Sequence, residues 1–326
     1  MVRGFINVDK PQGITSFDVV RRVRRAAGIR KVGHAGTLDP NATGVLPVAL
    51  GEATRLVDEL VDASKRYEAT IVFGEATDTY DVEGAVTEEH DASHLEEGAI
   101  RDALLPFVGE LMQRPPAYSA VKREGVVAYK AARAGNPLEL EARPVVVHAI
   151  DVLSFDRARP ERPVLRLDVR CGKGFYVRSL AHDLGQALGV GAHLGALRRT
   201  QVGPFVIADA TPLDAVVRLL EAREYDRVVH APDIVLDRWP ALLVGRDEVA
   251  RLRQGIDIVA LPRRDYRAPD ATTEGSEGAS DGPSWAGRAR CYGPDGDLVA
   301  LVERGRAVGS WHPFRVFKPD PDASTD

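Results

Sequence analysis

The stretch Gly33-His34-Ala35-Gly36-Thr37-Leu38-Asp39-Pro40-Asn41-Ala42-Thr43-Gly44-Val45-Leu46 gathers three glycines, one histidine and one carboxylate into fourteen residues. Glycine lets backbone run close to another molecule or take positive φ. Pro40 pushes Asp39 out of the helical region toward extended or turn geometry, which would present its carboxylate from a loop. The same residues fit a second role. Asp is a good N-cap and Pro a favoured first helical residue, so Leu38-Asp39-Pro40 also reads as a helix start. An Asp-Pro pair alone argues for the helix start, and a lone His34 for a hydrogen-bonded loop residue. The surrounding chain has to decide.

The segments on either side read as regular elements. Phe5-Ile6-Asn7-Val8 is a short strand and Lys10-Pro11-Gln12-Gly13 a turn. Thr15 or Ser16 caps a helix with Phe17, Val20, Val23 and Ala27 as its apolar stripe, Asp18 in its first turn and Gly28 as its stop. Lys65 to Phe73 is a strand with Tyr67, Ala69, Ile71 and Phe73 on one face. Ser93-His94-Leu95-Glu96 has capping-box spacing and predicts a helix through Leu105, ending near Pro106 and Gly109. Gln113 to Lys122 is irregular and stiffened by proline. Val164 to Arg170 alternates as a strand. It leads into a helix starting near Tyr176, with Val177, Leu180, Ala181, Leu184 and Leu188 as its stripe.

From about 235 the pattern changes to short strands and turns. A short helix over Glu248 to Gln254 stops at Gly255, and a strand follows over Ile256 to Leu261. Ala289 to Tyr292 and Leu298 to Val302 flank a turn, and Phe314 to Phe317 is a last strand. Arg263 to Arg288 is rich in Gly, Ser, Thr, Asp and Glu. It reads as a flexible insertion, 263–288, and the tail 319–326 as disordered. The expected organisation is a catalytic domain over 1–232 and a small all-β domain over 235–318.

With 326 residues the chain suggests about two domains. No apolar run approaches the ~18 residues of a membrane span. The N-terminus lacks the apolar core of a signal peptide, so a cytoplasmic enzyme is expected. Cys171 and Cys291 are too few for a disulfide framework or a cysteine zinc site. The chain carries no phosphate loop of the GxxxxGK[ST] type and no HExxH cluster, so neither cofactor nor metal is expected. A net charge of −5 argues mildly against a nucleic-acid partner. Charge placement argues the other way. Arg21, Arg22, Arg24, Arg25, Arg30 and Lys31 form one basic run, and Arg166, Arg170, Lys173, Arg178, Arg198 and Arg199 a second group, while acidic residues concentrate in 77–102 and 265–281. An acidic protein with two such basic patches can bind RNA, and any such binding is expected to be strongly salt-sensitive.

The fourteen-residue stretch resembles GHAGTLDPxATGVL, the catalytic motif of the TruB family of bacterial tRNA pseudouridine-55 synthases, at every fixed position. Further blocks resemble the family in order: Lys10-Pro-Gln-Gly-Ile-Thr-Ser16 (KPxGxTS), Lys65-Arg-Tyr-Glu-Ala69 (KxYxA), the Gly74 to Gly84 run (GxxTxTxDxxG), Gln113 to Lys122 (QxPPxYSAxK), Cys171 to Gly185 (CxKGxYxRxLxxDLG) and His193 to Phe205 (HLxxLRRTxxGPF). One departure stands out. After Gly125 the family commonly carries basic residues, whereas this chain has Val126 and Val127.

The resemblance implies an α+β pseudouridine-synthase fold: a mixed, largely antiparallel central sheet flanked by helices and loops, with a PUA-like RNA-binding domain at the C-terminus. It implies isomerisation of uridine to pseudouridine at position 55 of the tRNA T-loop. Asp39 would be the catalytic aspartate, kept ionised and aimed by Arg178. Tyr67 would stack on the base and assist deprotonation at C5, directly or through water, and Tyr176 and Leu197 would line the base pocket. His34 would wedge into the RNA, with Lys10, Arg198 and Arg199 as further RNA contacts. The partner is the tRNA T-arm, bound by a monomer with no membrane attachment. Two other readings stand beside this one: a guide-RNA-dependent relative, and a non-catalytic tRNA-binding or folding helper.

Overall fold

The computed structural model describes residues 2–123, 125–136, 138–260 and 287–318. The chain packs as two compact units. One comprises Ile6–Val48 and Leu60–Val228, and the other is drawn from Met1–Phe5, Ala49–Glu59 and Val229–Asp326. The division at Val228 lies near the expected 232, but the second unit also takes two N-terminal segments. Local bonds explain this: Arg3 Nη2 lies 2.7 Å from Asp297 Oδ1, and the Arg55 guanidinium sits 5.5 Å over the Phe317 ring.

The larger unit is built on a mixed sheet. In chain order its parts are β1 (Gly4–Lys10), α1 (Ser16–Ala27), β2 (Val32–His34), β3 (Thr43–Leu50), β4 (Lys65–Phe73), α2 (Glu97–Leu104), β5 (Gly109–Gln113), β6 (Arg143–Asp156), β7 (Val164–Cys171), α3 (Val177–Ala187), β8 (Ala192–Val202), β9 (Thr211–Pro212) and α4 (Leu213–Glu221). The main path of the sheet runs β9-β1-β3-β8-β4-β7-β6-β5. The pairs β1–β9 and β3–β8 are parallel, and the run from β8 to β5 is antiparallel throughout. Ala69, Ile71 and Phe73 of β4, Leu165 and Leu167 of β7, and Leu180, Ala181 and Leu184 of α3 form one buried cluster. Each large apolar side chain there contributes roughly 1.5–3 kcal/mol. That core fixes α3 on the sheet and sets where its first turn points.

The second unit carries a five-stranded sheet of β10 (Ala241–Leu243), β11 (Ile258–Val259), β12 (Arg288–Tyr292), β13 (Leu298–Arg304) and β14 (Ser310–Val316), in the order β10-β12-β13-β14-β11. The helix α5 (Arg246–Arg253) packs Val249 and Leu252 into its core with Val302 and Trp311. The expected α+β architecture with a separate C-terminal β domain is therefore present.

Several details differ from the sequence reading. Phe17 is 62% exposed, and Val19 joins Val20 and Val23 on the buried stripe of α1. The capping-box spacing at Ser93 is unused: α2 starts at Glu97 with Glu96 as N-cap and no side-chain cap bond. The Ser93 N–H is instead taken by Asp91 Oδ1 at 2.8 Å. No helix follows Asp39-Pro40. The strand expected over 256–261 is described only at Ile258–Val259. Of the expected insertion 263–288, Gly287 is described and Arg288 opens β12; residues 263–286, and the tail 319–326, lie outside the described residues. No helix among the described residues is long and apolar enough to cross a membrane.

Candidate active site

The loop that carries Asp39 is pinned on both sides of that residue. The Ser16 hydroxyl, at the start of α1, donates to the Leu38 carbonyl at 3.0 Å and accepts the Leu38 N–H at 2.9 Å. The Pro40 carbonyl accepts from Gly13 N–H at 2.9 Å and from Lys10 Nζ at 3.1 Å. The KPxGxTS block is thus the clamp on the Asp39 loop. Thr15 and Asp18 form a capping box that fixes the start of α1, and with it Ser16. Downstream, β3 lies against β8 with Gly44 opposite Arg199. A Cβ on Gly44 would stand 2.2 Å from the Arg199 carbonyl oxygen, so only glycine permits the pairing.

Arg178 projects from the first turn of α3 and its side chain is 7% exposed. Its Nη2 lies 3.1 Å from Asp39 Oδ2 and donates to the Tyr118 carbonyl at 2.8 Å. Its Nη1 lies 3.5 Å from Asp81 Oδ2 and donates to the Thr79 carbonyl at 3.3 Å. The 77–84 loop is shaped for this. Thr77 Oγ1 donates to the Asp81 carbonyl at 2.8 Å and Thr79 Oγ1 to Asp81 Oδ1 at 2.7 Å. A Cβ on Gly84 would stand 2.4 Å from Thr79 Oγ1. Between Thr79 and Asp81, Tyr80 holds a left-handed φ of 64°. That conformation costs a residue with a Cβ roughly 1–2 kcal/mol.

Asp39 and Arg178 share a cleft of 680 Å³ with Leu38, Lys65, Tyr67, Tyr176, Leu197 and Arg199. Tyr176 is the N-cap residue of α3, and its backbone exchanges two bonds with the Gln113 side chain, at 2.8 and 3.0 Å. Tyr67 and Leu197 come from the adjacent strands β4 and β8, where Ala69 pairs with Leu197 and Tyr67 with Arg199. The long strands therefore bring residues far apart in the chain to one wall.

The electrostatics differ from expectation at the central residue. Burial pushes the Asp39 carboxyl above the usual carboxylate range, and the Arg178 guanidinium offsets only part of that. Asp81 pushes it further up and Lys10 pulls it down. Arg178 thus aims Asp39 and acidifies it, but too little to bring it back into the usual carboxylate range. Burial also raises the Tyr67 phenol, against the opposing Arg199 guanidinium beside it, so Tyr67 carries its proton at neutral pH. Tyr176 is raised for the same first reason, against a hydrogen bond to Ser119.

Two of the expected RNA contacts are corrected by their burial. Lys10 is fully buried, and its ammonium donates to the carbonyls of Pro11, Ile14 and Pro40 at 2.9, 2.6 and 3.1 Å. Arg199 is 1% exposed and donates to the Val45 carbonyl at 2.8 Å and the Gly36 carbonyl at 3.0 Å. Both charges brace the Asp39 loop from inside and present no surface to a phosphate. Lys65 behaves likewise, bonded to the carbonyls of Val61 and Ala63. Arg198 lies outside the cleft lining and lies 2.9 Å from Asp9 Oδ2. His34, on β2, is also off that lining, with Nε2 3.4 Å from Thr37 Oγ1. Burial and then Arg199 lower its pKa, which keeps the imidazole neutral. In the basic runs, Arg21 pairs with Asp18 at 2.7 Å, Arg22 with Asp214 at 3.5 Å and Lys173 with Asp62 at 2.9 Å. Such exposed pairs are worth about 0–1 kcal/mol and give way readily to a competing phosphate.

The spacing of the TxTxDxxG run assigns its residues no role. The structure shows Thr79 and Asp81 as direct partners of Arg178, and Tyr118 as a third. The fixed Asp within that run was the available signal. No group of three potential metal ligands occurs among the described residues.

Residues 24–177 match the N-terminal domain of TruB family pseudouridylate synthases, and residues 178–237 match the tRNA pseudouridylate synthase B C-terminal domain. The chain is 48% identical to tRNA pseudouridine synthase B of Thermobifida fusca over 320 residues, covering 97% of this chain and 99% of that one. It is 44% identical to tRNA pseudouridine synthase B of Arthrobacter sp. strain FB24, covering 98% of each. A solved Cbf5-Nop10-Gar1 complex contains a chain with the same fold, at TM-score 0.68 and 28% identity over 97% of this chain and 85% of that one. Fold and matches together define a pseudouridine synthase, an isomerase of uridine. The chain belongs to the TruB family.

Proposed function

We propose that the protein converts uridine to pseudouridine at position 55 in the T-loop of tRNA. The observation that carries this reading is the Asp39–Arg178 pair at 3.1 Å, opening into the cleft beside Tyr67, Tyr176 and Leu197. The substrate class rests on the full-length similarity to tRNA pseudouridine synthases B.

The reaction breaks the N1–C1′ bond, turns the base and joins C1′ to C5. It is an isomerisation without redox change, so its balance calls for neither cofactor nor metal. A carboxylate is the group it needs, and carboxylates do covalent work at sugar carbons. Asp39 is the group for this, by attack on C1′, by addition to C6, or by taking the C2′ proton. Arg178 holds the carboxylate toward the cleft. Tyr67 stacks on the uracil as a neutral phenol and assists loss of the C5 proton to water, N1 takes up a proton in exchange, and Tyr176 and Leu197 close the pocket. The target nucleotide has to leave its stack first, which costs a few kcal/mol. His34 fills the vacancy, and its neutral imidazole suits a stacking position.

The T-arm of tRNA is the bound element, the chain acts as a monomer in the cytoplasm, and the β unit over 235–318 serves as a PUA-like RNA-binding domain. Incubation of the purified protein with an unmodified tRNA transcript, followed by site-resolved pseudouridine detection, tests the whole reading. Product at a single T-loop uridine supports it. Product only with an added guide RNA favours the guide-dependent relative. Tight tRNA binding with no product at any uridine leaves the non-catalytic helper.

A further inference from the structure

Tyr80 adopts a backbone conformation that a glycine would take without strain, yet the chain carries a tyrosine there. Its ring lies on the imidazole of His182, with centroids 3.9 Å apart and planes 9° from parallel. His182 sits on α3 one turn after Arg178. Tyr80 itself is flanked by Thr79 and Asp81, the two loop residues that hold Nη1 of Arg178. The loop is therefore fastened to one face of one helix at adjacent points: by the stack, and by the guanidinium. Its backbone is tied on the other side to β8, where the Tyr80 carbonyl accepts from Leu194 N–H at 2.9 Å.

Backbone held in a sparsely populated conformation persists only where its surroundings over-determine it, and such positions cluster at functional sites. Offset stacking of aromatic rings supplies that kind of restraint. The charge state of His182 fits the role. Its Nδ1 is buried with no hydrogen-bond partner among the described residues, which disfavours a second ring proton there. Burial lowers its pKa against the raising effect of Asp183 and Glu88, which agrees with a neutral ring.

We infer that Tyr80 and His182 are positioning residues for the isomerisation: their stack locks the 77–84 loop against α3, so that Thr79 and Asp81 hold Arg178 in line with Asp39. This rests on the reading that Arg178 steadies the reactive carboxylate. Neither residue is itself part of the cleft lining, so both act through Thr79, Asp81 and Arg178.

The experiment compares Tyr80→Gly, Tyr80→Phe, His182→Ala and the double variant Tyr80→Gly with His182→Ala, on an unmodified tRNA transcript. Tyr80→Gly relieves the backbone strain while removing the ring, so its melting temperature stays within about 3 °C of the parent. Its kcat falls roughly tenfold while KM for tRNA stays within about twofold, because the change acts on the chemical step. Tyr80→Phe keeps the ring and recovers most of the turnover. The double variant is no slower than the slower single, since both changes break one contact. Asp39 is faced by Arg178, Asp81 and Lys10, so a displaced Arg178 removes its main acidifying neighbour. The acid limb of kcat accordingly moves up by about half a pH unit in Tyr80→Gly.

Undiminished kcat in both Tyr80→Gly and His182→Ala overturns the inference. So does Tyr80→Phe being as slow as Tyr80→Gly, fully additive losses in the double variant, or a loss confined to KM, which would place Tyr80 on the RNA. Absence of product from the parent protein would instead sink the functional reading itself, a separate outcome. A parent that is active and silenced by Asp39→Asn, beside unaffected Tyr80 and His182 variants, removes this inference alone.

Discussion

Arg178 and Asp39 meet at 3.1 Å with unequal surroundings: the arginine side chain is 7% exposed, the aspartate 46%. The cation is fixed in the protein by two carbonyls and a second carboxylate, and the anion is held out toward the cleft. Arg178 therefore serves as the anchor and Asp39 as the working end. A guanidinium with four acceptors around it cannot follow a moving carboxylate, so the pair sets an angle of presentation.

Asp39→Asn keeps the shape of the side chain and removes its charge. Turnover drops by roughly a thousandfold or more, in the range seen when a covalent catalyst is removed. Binding of tRNA, measured by filter retention, changes by less than about threefold, since phosphate contacts dominate affinity. Parallel loss of both would separate Asp39 from the chemistry.

The raised pKa of Asp39 sets a pH dependence with a definite sign. The reactive form is the carboxylate, so kcat falls as pH drops through a value above the usual ~3.9 of an aspartate. Stability runs the opposite way. A group whose folded pKa exceeds its unfolded one stabilises the fold below the unfolded pKa, and that contribution is lost as pH rises through the folded value. Asp39→Asn should then melt no lower than the parent at pH 8, with the gap closing near pH 4. A variant that melts well below the parent at pH 8 contradicts the burial argument.

Arg178→Lys retains the charge but not the fork that reaches Asp39, Asp81 and the carbonyls of Thr79 and Tyr118. We expect kcat to fall by about a hundredfold with little change in tRNA affinity. Arg178→Ala takes the cation away from half-buried Asp81, which keeps its bond from Thr79 Oγ1, and lowers the midpoint of chemical denaturation as well. Equal activity of the lysine variant would show that charge alone suffices.

The basic residues separate into braces and contacts. Exposed Arg25 and Arg30 are available to phosphates, whereas Lys10 and Arg199 are inside. Removing Arg25 or Arg30 should weaken tRNA binding and lower the slope of log affinity against log salt by about one per residue. Lys10→Met should leave that slope alone and slow turnover, because it releases the Pro40 carbonyl. An unchanged slope after both surface substitutions would move the RNA footprint elsewhere.

Gly44→Ala places a methyl 2.2 Å from the Arg199 carbonyl oxygen at a φ of 100°. The β3–β8 pairing has to open, at a cost of about 3 kcal/mol or more. Urea denaturation reads this directly, and a midpoint matching the parent would mean that the two strands adjust freely.

What the sequence discloses and what it conceals divide along physical lines. The loop at Asp39, the strand under Tyr67 and the helix behind Tyr176 follow from local spacing and proline chemistry, and all three stand where expected. The burial of Lys10 does not follow from spacing. Of the three carbonyls around its ammonium, the one at Pro40 lies thirty residues away, and no local spacing separates such a lysine from a surface one. Phe17 was misplaced because a single-face pattern cannot fix helical phase when Val19 and Val20 are adjacent. Ala49–Glu59 joins the second unit through contacts with residues near the C-terminal end, beyond the reach of any local pattern.

The lysine cage beneath Pro40 has a consequence for alkaline solution. Burial lowers Lys10 and Lys65 from 10.5 to about 8. Between these two values the unfolded chain binds more protons than the folded one, so the fold grows firmer as the medium becomes more basic. A neutral amine, however, has only two N–H bonds to offer three carbonyls. One of Pro11, Ile14 and Pro40 then goes without its donor, and the ledge bearing Asp39 slackens. Endurance and speed part company above pH 8: the molecule survives best where it turns over less.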